Sequence, residues 1–166
     1  MILKQKIQQD LNEAVKNKEE LRTSVLRQLS AAILNKEKEK RYKIIKDEPE
    51  LTEKELVEKS QLTDEEVIDV ISSEAKKRKE SILEFEKGKR QDLVEKEKKE
   101  LEILQKYLPE QISEEEIKKL AREVIDKVGA SAKKDMGKVM AELMPKLKGR
   151  ANGSLVSKII KELLTF

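Results

Sequence analysis

The chain has 166 residues, no cysteine and no histidine, 37 Lys/Arg against 34 Asp/Glu, and only two tyrosines and two phenylalanines for aromatics. That excludes disulfide, thiolate and imidazole chemistry and metal sites built from nitrogen or sulfur ligands, and leaves a core to be made from Leu, Ile, Val, Ala and Met. A chain this charged stays disordered when its apolar residues are scattered, but here they recur at helical spacing almost throughout.

Leu3, Ile7, Leu11 and Val15 stand four apart and predict a first helix of about four turns. Asn17, with Glu20 three residues on, predicts the cap of a second helix whose inward face is Leu21, Val25, Leu29 and Ile33. From Asn35 to Lys46 six basic residues outnumber Glu37 and Glu39, and Asp47-Glu48-Pro49-Glu50 then reverses the sign, with Pro49 barring a helix. Lys36 to Leu62 therefore reads as a charged, mobile linker holding one short helix, capped by Thr52 with Glu55 and over before Gln61. Thr63 with Glu66 is a second capping box, and Val67, Ile71, Ala75, Arg78, Ile82 and Phe85 follow it at spacings of three and four. Arg78 sits on that apolar seam, so its stem should lie along neighbouring helices while its guanidinium pairs or reaches solvent. Gly88 is placed for a left-handed residue after the helix. One more helix, from about Asp92 to Tyr107 with Leu93, Val94, Leu101 and Leu104 inward, closes before Pro109.

Leu108-Pro109-Glu110-Gln111-Ile112 reads as a boundary, because a helix-ending proline runs straight into a third capping box, Ser113 with Glu116. The expected domains are 1–110 and 111–166. Ile117, Leu120, Ala121, Val124, Ile125 and Val128 form the next apolar face, ended by Gly129. Met136, Val139, Met140 and Leu143 carry a helix expected to stop at Pro145, and Asn152 can cap a last one with Leu155, Val156, Ile159 and Ile160 inward. Residues 111–166 hold 12 Lys/Arg and 8 Asp/Glu, whereas the first 110 hold 25 and 26, so the positive excess is all C-terminal. No run approaches the ~20 apolar residues of a membrane span, and the first residues enter an amphipathic pattern containing Asp10 and Glu13. A cytoplasmic chain without a membrane partner is expected.

The segment Asp135-Met136-Gly137-Lys138-Val139-Met140, followed by Met144-Pro145-Lys146-Leu147-Lys148-Gly149-Arg150-Ala151-Asn152-Gly153-Ser154-Leu155, gathers three of the chain's five glycines and four cationic side chains. Together with the region of Arg27, Lys76 to Phe85 and Leu108-Pro109-Glu110-Gln111, in that order, it resembles the YqeY family. That family shares a small helical tail domain with the GatB subunit of the tRNA-dependent amidotransferases. Two departures stand out: Lys36 to Leu62 is longer than the family's usual linker, and Asn152 replaces the usual Asp beside Arg150. The resemblance implies an all-α fold, an N-terminal antiparallel helical bundle followed by a small three-helix GatB/YqeY-like tail domain, and a role close to tRNA, which that tail helps to hold in the amidotransferases.

Amidotransfer needs a glutaminase and a nucleotide- and metal-dependent activating site, and no Gly-rich loop after a strand is present to start building either. No catalytic residue, metal ligand or cofactor is expected. The leading expectation is an accessory protein whose tail binds tRNA or another structured RNA through phosphates, using Lys133, Lys134, Lys138, Lys146, Lys148, Arg150, Asn152, Gly153, Ser154 and Lys158. The last helix's free N–H groups would face a phosphate while the cations supply charge. The same residues also fit a plain tight turn with ordinary exposed cations, and Met136, Met140 and Met144 fit core packing better than a partner groove. With so few aromatics, base stacking on single strands is not supported. Two other readings stay open: a carbon–nitrogen ligase using glutamine as amide donor, which the family label implies, and an interaction module docking on amidotransferase subunits or the ribosome.

Overall fold

A chain this charged can hide only narrow apolar stripes, and the computed structural model, which describes residues 2–164, shows each stripe turned inward on a helix. Among those residues the α-helices are α1 (Ile2–Lys16), α2 (Glu20–Asp47), α3 (Glu53–Ser60), α4 (Asp64–Lys87), α5 (Gln91–Gln105), α6 (Glu114–Val128), α7 (Met136–Leu147) and α8 (Gly153–Leu163). A 3-10 turn, Lys133–Asp135, precedes α7, and no strand occurs among the described residues. The fold is all-α. It divides into two compact units, one running to Tyr107 and the other beginning at Leu108.

In the first unit Ile7 and Ala14 of α1, Val25, Leu26, Leu29 and Ile33 of α2, and Val67, Ile71, Ala75 and Ile82 of α4 are all buried. Val15, expected inward, is 46 % exposed and Ala14 takes its place. A spacing of four overshoots the helical repeat by about 40° per step, so Val15 has drifted off the face of Ile7 while Ala14, seven residues on, stays within about 20° of it.

All three capping boxes form, with both reciprocal bonds at Thr52/Glu55, Thr63/Glu66 and Ser113/Glu116. Two other end signals are displaced. Asn17 does not cap α2; it lies in a turn with Lys18 at φ 56°, donates its side-chain amide to Glu19 Oε1 at 3.2 Å, and leaves Glu19 as a cap residue without a side-chain bond. Gly88 has φ −77°, and the left-handed residue is Lys89 at φ 54°, because the chain spends one more residue reaching the bond from Arg90 N to the Phe85 carbonyl at 2.9 Å.

The run read as a linker is helical as far as Asp47, breaks around Pro49 as expected, and holds the expected short helix in α3. α2 continues through it to Asp47, and opposite charges from other elements meet its cations and its Glu37. Lys4 donates to Glu37 at 2.6 Å, Lys40 to Glu66 at 2.8 Å and to the Gln61 carbonyl at 3.1 Å, and Arg41 pairs with Glu53 of α3. Within α2, Lys36 and Glu39 add an i,i+3 pair at 2.9 Å.

Arg78 of α4 does what its place on the seam demands. Its Nε lies 2.9 Å from Glu100 and 3.5 Å from Glu97, both on α5, while Nη2 donates to the side-chain carbonyl of Gln28 on α2. Glu100 is only 5 % exposed, so the guanidinium is what makes its burial tolerable. At the far end of the unit the Tyr107 hydroxyl donates to Asp10 at 2.6 Å, and burial together with that carboxylate raises the phenol well above its ordinary range.

The second unit closes on its own core: Ile117, Ala121 and Val124 of α6, Val139, Leu143 and Leu147 of α7, and Val156, Ile159 and Ile160 of α8. Met136, Met140 and Met144 pack against that core as half-buried neighbours. Pro145 does not stop α7, which runs on to Leu147. An interior proline costs about 3 kcal/mol, mostly through a lost bond and a clash with the preceding turn. In the last turn fewer such bonds are at stake, and the extra residues carry Leu147, fully buried beside Leu143, into the core for about 2 kcal/mol in return.

Removing the Arg78 charge should leave Glu100 buried with only Lys96, 3.9 Å away at the helix surface, to offset its charge. Arg78→Met is expected to lower unfolding free energy by about 3–5 kcal/mol in urea titration, and Arg78→Met with Glu100→Met to recover most of it. A loss under about 1 kcal/mol in the single variant would show the ion pairs to be ornamental. Glu66 gives a pH signature: burial raises its pKa, but the hydrogen bonds from Lys40 and from Thr63 N outweigh this and hold it below its ordinary 4.5. A carboxylate depressed in the folded state stabilises above the unfolded pKa and loses that stabilisation as pH falls through the folded value. Wild type should therefore melt above Glu66→Gln at pH ~7, with the gap closing below about pH 4.5.

Candidate nucleic-acid interface

The candidate residues fall around α7 and its two flanking turns. Gly129, at φ 64°, ends α6 in the left-handed conformation and closes back with the bond from Ala130 N to the Ile125 carbonyl at 3.0 Å. The chain then turns through Ser131 and Ala132 into the 3-10 turn that carries Lys133 and Lys134, both exposed. Asp135 ends this turn, only 9 % exposed. Its carboxylate accepts from Ser131 N at 3.3 Å and lies 3.4 Å from Lys138 Nζ. The Ser131 N–H, and after it Lys138, hold the carboxyl below its usual range against the opposing effect of burial.

Glu142, the other carboxylate of α7, is matched in the same way, accepting from Lys127 of α6 at 2.8 Å. From Gly129 to the end the sequence has eight Lys/Arg and three acids, Asp135, Glu142 and Glu162. With Asp135 and Glu142 both engaged, Lys133, Lys134, Lys146 and Lys158 stand exposed in a region of net positive charge.

The turn from Lys148 to Asn152 joins α7 to α8. Gly149 takes φ 71°, where a side chain would be strained, and this lets Arg150 N and Ala151 N both reach the Leu147 carbonyl, at 2.9 and 3.1 Å. Asn152 caps α8 by accepting from Ser154 N at 2.8 Å. The expectation that Ser154 N–H is free for a phosphate is thus corrected: the cap already uses it. Arg150 is half-buried and directs Nε toward the Glu110 carbonyl at 3.4 Å, so it is partly a structural residue of the turn.

Leu108 to Ile112 braces this turn, a role not visible from the residues alone. Ile112 N donates to the Arg150 carbonyl at 2.9 Å, and Gln111 Nε2 donates to the Gly149 carbonyl at 2.7 Å and to the Pro109 carbonyl at 3.2 Å. The partners lie 38 residues apart, beyond any local pattern, and the one clue was a Gln two residues after a proline in a segment that belongs to no helix.

The structure gathers Lys146, Lys148, Arg150, Asn152, Gly153 and Ser154 at the α7–α8 turn, with Lys158 one helical turn above Ser154 on the same side of α8. It does not bring Lys133 and Lys134 to that place. They stand at the opposite end of α7, about 18 Å away at 1.5 Å per residue, so the cations form two patches on one unit. Lys138 lies between them and is partly neutralised by Asp135. Among the described residues no group of three or more carboxylates is arranged to hold a metal ion.

Comparison with known proteins gives a consistent answer. Three proteins named altered inheritance of mitochondria protein 41, mitochondrial, are similar to this chain. The one from Pyrenophora tritici-repentis is 31% identical over 162 residues, covering 96% of this chain and 79% of that protein. Those from Candida glabrata and Kluyveromyces lactis are 31% and 34% identical over 63% and 61% of this chain, and the matches span 48% and 45% of their own lengths. The cytoplasmic placement expected above does not stand, because each of these relatives is named as a mitochondrial protein. The family model described as Yqey-like protein matches residues 4–52 and 48–164, nearly the whole chain, and with it the chain belongs to the YqeY-like protein family.

Proposed function

We propose that the second unit binds structured RNA through its phosphates, tRNA being the first candidate, and that the chain acts as an accessory rather than a catalyst. The observation that carries this is the charge balance after Gly129: eight cations against three acids, two of the acids engaged and six of the lysines exposed. Cations held on helix ends and a braced turn contact a backbone at fixed spacing, which suits a folded RNA better than a flexible strand. The missing aromatic platform points the same way. The family's shared tail domain, which helps to hold tRNA in the amidotransferases, supports the choice of ligand. The relatives' names favour a mitochondrial setting for the activity.

Each phosphate contact releases counterions, so affinity should fall steeply with salt. Fluorescence anisotropy with a labelled tRNA is the test. Lys146→Ala and Lys158→Ala should each lower the magnitude of the log K against log salt slope by about one, for every RNA bound, while moving stability by under about 0.5 kcal/mol. An unchanged affinity and slope in the folded double variant, or no binding at low salt, would remove the second unit from RNA recognition.

A further inference from the structure

The outer face of α2 does not fit the pattern of the other helices. Val25, Leu26, Leu29 and Ile33 bury one side of it, yet on the opposite side Leu34 is 50 %, Tyr42 73 % and Ile45 43 % exposed. At 100° per residue these three lie within about 80° of one another and about 170° from the buried side. They form a second apolar stripe on a helix that needs only one. Arg27, Lys38 and Lys46 flank it, all exposed and without an ion pair among the described residues.

From Ser24 to Lys46 the sector spanned by Leu34, Tyr42 and Ile45 has no Asp or Glu. Of the two acids in that span, Glu37 is held by Lys4 and by Leu62 N, and Glu39, at the edge of the face near Lys46, is paired with Lys36. Arg41 marks the edge, where Glu53 of α3 engages it. From Arg27 to Lys46 the face is about 29 Å long. A helix face that shows apolar and cationic side chains along such a length, with Ser24 and Asn35 as neutral polar members, is complementary to a negatively charged, partly apolar surface.

We propose that this face of α2 adsorbs to an anionic lipid surface, with Leu34, Tyr42 and Ile45 entering the boundary between headgroups and acyl chains and Arg27, Lys38 and Lys46 meeting lipid phosphates. A second copy of the chain is a poor occupant, since it would set cation against cation around Lys38. A coiled-coil partner is a poor one too, because the apolar stripe covers less than two heptads and a seam needs about three or four. RNA leaves the exposed Leu34 and Ile45 without a role. No helix among the described residues is long and apolar enough to cross a membrane, and adsorption requires none. The absence of a membrane partner expected from the sequence followed from the lack of a span alone.

The test is sedimentation of the full chain with phosphatidylcholine vesicles containing about a third phosphatidylglycerol, at low salt, against vesicles of phosphatidylcholine alone. Partitioning to the anionic vesicles only is expected. Lys38→Glu should reduce it about fivefold or more, and Leu34→Ser with Tyr42→Ser and Ile45→Ser at least about tenfold. Lys133→Ala with Lys134→Ala, in the other unit, should leave it unchanged, which separates this surface from the RNA reading. Should the triple variant lose helicity, Lys38→Glu with Lys46→Glu tests the charges alone. Acyl-brominated lipid should quench Tyr42 emission, and Tyr42→Phe should abolish that quenching because Tyr107 is buried. No partitioning at low salt, equal loss in the Lys133/Lys134 variant, indifference to Lys38→Glu, or tRNA binding that is lost with Lys38→Glu would each overturn the proposal.

Discussion

The first unit depends on one buried guanidinium. Arg78 projects from the apolar seam of α4 between two carboxylates of α5 and one amide of α2, so three helices share a single cation. A carboxylate as enclosed as Glu100 is costly to desolvate, and only a planar donor with several N–H groups can satisfy it while also reaching Glu97 and Gln28. That geometry admits one relative placement of α2, α4 and α5. The apolar contacts alone are less selective, because Leu, Ile and Val side chains tolerate small slides that a close, largely buried ion pair does not.

With α2 held at Gln28, its second half is free to be long. The same charges that resemble a linker in sequence become braces once Glu37, Glu53 and Glu66 come from, or are met by, three different elements. Individually such exposed or half-exposed pairs are worth little, typically under 1 kcal/mol. Their effect is to choose one face of α2 for the protein and leave the other, with Leu34, Tyr42 and Ile45, to solvent.

The second unit handles charge in the opposite way. Around α7 the acids Asp135 and Glu142 are engaged internally, Asp135 by a backbone N–H and Lys138, Glu142 by Lys127, while several cations remain exposed. The Gly149–Arg150 turn is rigid for reasons outside itself, since Gln111 and Ile112 occupy its carbonyls. A braced turn bearing cations is better prepared to meet a phosphate than a loose one, because less ordering entropy is lost on contact.

Periodicity and capping chemistry are local, and they determined the helical class, the three capping boxes, the helix end at Gly129 and the Asn152 cap. The ordered motifs likewise identified the family, which the match over residues 4–52 and 48–164 bears out. What the sequence could not decide was every feature set by a balance between a local signal and a distant partner. Pro145 signals a stop, but Leu147 has a core to enter; Lys36 to Asp47 signals a linker, but carboxylates of other elements neutralise it. At the site, glycines and cations marked the turn, whereas the use of Ser154 N–H, the separation of Lys133 and Lys134 from Lys146, and the brace from Gln111 appear only in three dimensions. Local rules rank the conformations a segment prefers on its own. Tertiary structure then selects among them wherever a buried leucine, an ion pair or a long-range hydrogen bond is worth more than the preference it overrides.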